Sequence, residues 1–75
     1  MTNEEIKTKG QTYLMNTFNR GAICMVEGQG SYLKDADGKQ YLDFLAGIAV
    51  NALGHNHPKV TAAIAEQAAK LVHCS

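Results

Sequence analysis

The spacing of apolar positions changes along the chain and divides it into segments. From Thr2 to Phe18 they recur at helical intervals, with Ile6, Tyr13, Leu14 and Phe18 near one face and polar residues between them. Thr2 and Glu5 have the spacing of a capping box, in which the Thr2 hydroxyl accepts from the Glu5 N–H while the Glu5 side chain reaches back. The pattern predicts a helix that ends by Asn16 or Thr17. Gly10 weakens its middle by about 1 kcal/mol relative to alanine. Asn19-Arg20-Gly21 then reads as a turn.

The middle of the chain reads as β. Ile23–Glu27 is short and apolar, Gly28-Gln29-Gly30 punctuates it, and Ser31–Lys34 is a second short run. Asp35-Ala36-Asp37-Gly38-Lys39 is the strongest local signal, because Asp-Gly between two apolar runs marks a hairpin turn in which glycine takes positive φ without penalty. Gln40–Phe44 completes a three-stranded antiparallel meander. Leu45–Leu53 follows, apolar, rich in small residues and without a clean period. It suits a buried connector, close backbone packing, or the wall of a pocket. The last segment is a second helix opened by His57-Pro58, since proline at the first helical position loses no hydrogen bond. Val60, Ile64, Ala68 and Leu71 form its apolar stripe, Glu66 and Lys70 an i, i+4 pair, and the helix is expected to run to about Val72. The fold class is α+β: helix, meander, helix.

Composition makes this a thin structure. Of the 75 residues 45% are hydrophobic, but ten of those are alanine, whose burial removes little apolar area from water. A domain of this size buries only about 60–65% of its unfolded surface. The apolar faces therefore either make a marginal core or belong against other surfaces, and the Gly47–Leu53 stretch and the Val60/Ile64/Leu71 stripe are expected to stand more exposed than their composition warrants. Seven basic and seven acidic residues cancel, and no basic run supports nucleic-acid binding. No apolar stretch approaches the ~20 residues of a membrane span. The N-terminus is acidic and polar, unlike a signal peptide. Cys24 and Cys74 lack a pairing pattern, which suits free thiols in a reducing cytoplasm.

Several arrangements invite a chemical reading and fall short of it. His55-Asn56-His57 with His73-Cys74 has zinc-type ligands. However, the helix between His57 and His73 separates its ends by about 24 Å, and histidines so placed more often cap the helix or bond to backbone. Gly28-x-Gly30 lacks a third glycine and a following helix, so it reads as a turn and not a phosphate loop. Asp35, Asp37 and Asp43 lack the terminal bidentate glutamate of a calcium loop. No serine, cysteine or lysine has a visible activating partner. From these patterns alone the chain is a small α+β unit with no metal site and no specified reaction.

Longer blocks say more. Tyr13–Phe18, Glu27–Leu33, Asp37–Phe44 and Gly47–Val60, the last containing Gly54-His55-Asn56-His57-Pro58, resemble the opening of the class III aminotransferases. Within that family the likeness is to the acetylornithine type, on Leu14-Met15-Asn16-Thr17 and Gly47-Ile48-Ala49-Val50-Asn51.

The resemblance implies the N-terminal segment of a pyridoxal-phosphate (PLP) enzyme of fold type I. The parent would be a cytoplasmic homodimer moving an amino group between N-acetylornithine and 2-oxoglutarate in arginine biosynthesis. Ornithine and 4-aminobutyrate aminotransferases are the related alternatives, and a stand-alone interaction module is the rival. In the family the Schiff-base lysine, the aspartate facing the pyridine nitrogen, the phosphate-holding turn and the carboxylate-binding arginine all lie downstream. Residues 1–75 are therefore expected to hold no catalytic and no cofactor-binding residue, and to be inactive alone. Lys59 and Lys70 do not match the catalytic lysine. Two substrate-binding positions carry over. Phe18 stands where relatives often have tyrosine. Ile48 matches a pocket position where ornithine aminotransferases carry tyrosine, and an apolar side chain there suits an acylated substrate end better than a free ammonium.

Overall fold

The computed structural model describes all residues from Met1 to Ser75. Helix α1 (Asn3–Tyr13) begins at the expected capping box: the Glu5 N–H donates to Thr2 Oγ1 at 3.1 Å and the Thr2 N–H to Glu5 Oε2 at 3.2 Å. It stops short of Asn16. Its last turn contains Gly10, the β-branched Thr12, which bonds back to the Thr8 carbonyl, and Tyr13, all poor helix formers. Leu14 leaves in extended conformation.

The meander forms as read, with each of its first two strands displaced toward the C-terminus. Strands β1 (Met25–Gln29), β2 (Tyr32–Asp35) and β3 (Gln40–Leu42) lie side by side in chain order, antiparallel. A register shift between Met25 and Glu27 puts a bulge in β1. Gly30-Ser31 joins β1 to β2, with Gly30 at φ +60° as a two-residue hairpin with glycine first requires. Between β2 and β3 the Asp35 carbonyl accepts from the Gly38 N–H at 3.0 Å, and the Asp35 N–H donates to the Lys39 carbonyl at 2.9 Å. Gly38 has φ +89°. The Asp-Gly signal is thus a three-residue loop whose glycine takes the left-handed bulge position.

The interior is polar. Asp35 is the sole buried residue, 3% exposed, and no hydrophobic side chain is buried. Its carboxylate accepts four hydrogen bonds: from the Asp37 and Lys39 N–H groups at 3.0 and 2.9 Å, from the Tyr41 hydroxyl at 2.8 Å and from the Asn3 amide at 3.2 Å. Asn3 completes the joint. Its side-chain oxygen accepts from the Cys24 and Ala36 N–H groups at 3.0 and 3.2 Å, and its own N–H, an orphan donor of the first helical turn, finds the Asp37 carboxylate at 2.9 Å. Helix α1 is therefore fastened to the hairpin by one residue.

Leu45–Leu53 departs from the buried-connector reading. Ala46–Ala49 (α2) is a single left-handed turn, with Ala46, Gly47, Ile48 and Ala49 at φ +53, +62, +68 and +60°. Its apolar side chains face solvent, Ile48 being 83% exposed. Periodicity does not register a left-handed turn, and no large apolar surface lies within the chain to cover it.

Helix α3 (Pro58–Ala68) opens on His57, whose ring nitrogen accepts from the Lys59 N–H at 3.2 Å. It closes before Val72, without a glycine to cap it and without a packed face to extend it. The Glu66–Lys70 pair forms at 3.6 Å. Neither long helix has a buried residue, and Val60, Ile64 and Leu71 are exposed as expected. The accessible surface is 6471 Å² for 8.1 kDa, against about 4,500 Å² for a compact monomer of that mass. The radius of gyration is 14.8 Å, against about 11 Å for a compact chain of this length.

Two outcomes follow from the polar joint. Asn3→Ala leaves the Cys24 N–H without its acceptor and takes one donor from the Asp35 carboxylate, whereas the Ala36 N–H keeps the Cys24 carbonyl at 2.9 Å. The substitution should weaken the attachment of α1 by on the order of 1–3 kcal/mol, read as faster amide exchange in α1 with β2 and β3 unchanged. Burial pushes the Asp35 carboxyl up, but the bonds from Lys39, Tyr41, Asn3 and Asp37 outweigh it and hold the group below its ordinary 3.8. The bond to Asp35, with burial and the nearby carboxylates, raises the Tyr41 hydroxyl above its ordinary 10.0. The Asp35 contribution is therefore complete above the ordinary carboxylate value and lost as pH falls through the depressed one. That of Tyr41 is complete below 10.0 and lost as pH rises through the raised one. Tyr41→Phe should move the Asp35 midpoint upward in a carboxyl NMR titration and abolish the alkaline loss.

Candidate functional site

Beyond β3 the chain makes a closed loop whose ends are pinned together. Asp43 and His55, twelve positions apart, meet at 2.6 Å between Oδ2 and Nε2. The Asp43 side chain is 9% exposed and that of His55 21%. The other oxygen of Asp43 accepts from the Leu45 and Ala46 N–H groups, each at 2.9 Å, at the mouth of α2. The Ala46 bond first, then the His55 bond, holds the Asp43 carboxyl below its ordinary value against the upward push of burial.

The far side of the loop is seated on the β1–β2 hairpin. Gly30 and His55 exchange both backbone hydrogen bonds, at 2.7 and 3.0 Å. Two glycines make that approach possible. A Cβ on Gly28 would lie 2.7 Å from the His55 Cβ and 2.8 Å from its Cγ. A Cβ on Gly54, which also sits at φ +79°, would lie 2.9 Å from the Gly30 carbonyl oxygen. The Gly28-x-Gly30 motif is thus part turn and part landing surface for His55. Asn56 extends the contact, its amide donating to Gln29 at 3.1 Å.

The two substrate positions expected from the resemblance stand on separate features. Phe18 lines a groove between α1 and the following connection, with Ile6, Gly10, Leu14 and Ile23. The Arg20 guanidinium lies 4.6 Å above its ring centroid, within cation–π range. Ile48 projects from the left-handed turn and is not part of that groove. The sequence offers Asp43 and His55 separately, as elements of calcium-type and zinc-type patterns, but not as a pair. For its observed role Asp43 carries a faint signal, an aspartate two positions before a turn it can cap. His55 carries none, since its partner is twelve positions away.

The residues present do not form a PLP site. All six lysines are exposed; Lys34 and Lys70 face Glu27 and Glu66, and Lys39 lies over the Tyr41 ring. The Gly30 N–H, which a phosphate-holding turn would present, donates to the His55 carbonyl. Nor do three or more His, Cys, Asp or Glu side chains converge as a metal site would require. His57 is the cap of α3, and Asp35, Asp37 and Asp43 serve the hairpin loop, α1 and α2.

Comparison with known proteins gives this arrangement its context. Residues 14–75 match the family model described as aminotransferase class-III. The acetylornithine aminotransferase of Streptomyces coelicolor is 52% identical over 75 residues, all of this chain and 19% of that protein. Among solved structures, the acetylornithine aminotransferase of Elizabethkingia anophelis superposes with a TM-score of 0.84 at 29% identity, over 100% of this chain and 20% of that one. The ornithine delta-aminotransferase of Plasmodium falciparum does so with a TM-score of 0.84 at 27% identity, over 100% and 19%. The chain spans about a fifth of the length of the relatives it matches.

The glycine contacts give an ordered expectation. Gly38 and Gly54 both need positive φ, but a Cβ on Gly38 meets open space whereas one on Gly54 meets backbone. Gly38→Ala should cost about 1–2 kcal/mol. Gly54→Ala should cost about 2–5 kcal/mol, because overpacking adds to the same strain. Midpoints of unfolding for the two variants test the order, and equal losses would contradict the packing argument.

Proposed function

The chain belongs to the class-III aminotransferase family, and on that footing we propose that it is the N-terminal segment of a longer enzyme moving an amino group between N-acetylornithine and 2-oxoglutarate, as in arginine biosynthesis. The observation that carries the reading is the 52% identity to an acetylornithine aminotransferase across the whole chain, over only 19% of that protein. On this reading PLP is the parent's cofactor, supplying the electron sink that amino transfer needs, and it is held by residues outside these 75. The parent is a cytoplasmic homodimer; the free thiols of Cys24 and Cys74 accord with a reducing compartment.

The fold supports the segment reading physically. About 2,000 Å² of surface beyond that of a compact monomer of this mass is exposed, more than one partner contributes to a standard protein interface. The excess includes Ile48, Val50, Leu53, Ile64 and Leu71. A self-standing interaction module would need an apolar core, and the one buried side chain here is a carboxylate. Catalysis belongs to the remainder of the parent. The role assigned to these residues is to shape the substrate's surroundings: Ile48 offers an apolar wall to the acyl end of the donor, and Phe18 a ring near the substrate side chain. The likeness to an ornithine delta-aminotransferase structure supports the ornithine type as the second reading, and the residue at position 48 discriminates the two.

The 75 residues alone should neither transaminate nor develop a lysine-dependent PLP absorbance band. Joined to the complementary part of an acetylornithine enzyme, they should restore transamination of N-acetylornithine. Ile48→Tyr in that hybrid should shift preference toward ornithine by on the order of tenfold. A PLP band from the isolated chain, abolished by changing one of its lysines, would sink the proposal. So would a hybrid that prefers ornithine from the start.

A further inference from the structure

The left-handed turn that carries Ile48 is an unfavourable conformation for three of its four residues, Ala46, Ile48 and Ala49. Nothing packs over it. Such a conformation persists only where its surroundings over-determine it, and here the surroundings are two side chains. Asp43 Oδ1 accepts from the Leu45 and Ala46 N–H groups at 2.9 Å each. The Leu45 carbonyl in turn accepts from the Ile48 N–H at 3.0 Å and the Ala49 N–H at 2.9 Å. Two hydrogen bonds thus connect the carboxylate to the backbone of Ile48.

The carboxylate is itself fixed on every side. The Asp43 N–H donates to the Ser31 carbonyl at 2.8 Å, and Oδ2 meets His55 Nε2 at 2.6 Å. His55 is held by both backbone bonds to Gly30 and by its seat against Gly28. Rotation of Asp43 would break the His55 bond and the cap of α2 together.

We propose that Asp43 and His55 are positioning residues for substrate selection: they hold Ala46–Ala49 in the left-handed conformation and thereby fix the direction of Ile48. The inference rests on the assignment of Ile48 to the donor's acyl end made above. The pair touches no reacting atom, so its effect should fall on recognition of the amino donor and not on the chemical step.

The test is steady-state kinetics of the full-length enzyme carrying this segment, with N-acetylornithine and 2-oxoglutarate varied separately. Asp43→Ala and His55→Ala should each raise the KM for N-acetylornithine on the order of tenfold, with kcat and the KM for 2-oxoglutarate changing less than about twofold. His55→Gln, whose amide can still donate to Oδ2, should recover most of the loss. In an Ile48→Ala background Asp43→Ala should add nothing to the donor KM, because the side chain it directs is gone. Where Asp43→Ala fails to fold, Asp43→Asn keeps the Oδ1 acceptor and weakens only the His55 contact, and the same selective rise at smaller amplitude is expected. Equal rises in both KM values, or a full additive effect on Ile48→Ala, would reduce the pair to a structural role and overturn the proposal. An unchanged donor KM in Ile48→Ala alone would remove Ile48 from the pocket and defeat the underlying assignment first.

Discussion

The structure depends on one buried carboxylate. Asp35 takes four hydrogen bonds from four residues, and no apolar side chain is buried beside it. A charged group out of water is tolerated only when its acceptor sites are filled. Here the filling groups come from the hairpin loop, from β3 and from the first residue of α1. One constraint therefore closes the β2–β3 turn, aligns Tyr41 across the sheet and docks the N-terminal helix. Its placement beside Leu33 and Tyr41, on the face that also receives His55 against Gly28, makes that face the organising surface of the chain.

A second polar cluster extends the principle to the loop. Asp43 and His55 stand to residues 43–55 as Asp35 and Asn3 stand to the hairpin and α1: a carboxylate caps backbone donors while a distant side chain locks it. Such joints are directional, so they can specify a geometry without an apolar core. They do not supply the bulk driving force of burial. The chain is thus geometrically defined and energetically incomplete.

Local chemistry was legible in the sequence and long-range chemistry was not. The Thr2/Glu5 capping box, the Asp37-Gly38 turn, the His57-Pro58 helix start and the order of the three strands all follow from residues within a few positions of one another. Helix ends were overestimated because periodicity continues past the point where the backbone loses its partners. The left-handed turn at Ala46–Ala49 was invisible because alanine and isoleucine have no local reason to adopt it; the reason lies in Asp43 and, beyond it, in His55. Of the candidate site, Phe18 and Ile48 came from family likeness, whereas the pair that supports Ile48 became evident only from the geometry.

These 75 residues have a fixed polar framework but lack the apolar contacts that would make them stable alone. Amide hydrogen exchange of the isolated chain, residue by residue, tests this most directly. The strongest protection is expected at β2, β3 and the amides bonded to Asp35, with α3 exchanging close to the rate of an unfolded chain and the amides of the left-handed turn, held by Asp43, between the two. Uniform, strong protection across both long helices and the left-handed turn would show a self-sufficient core and contradict it.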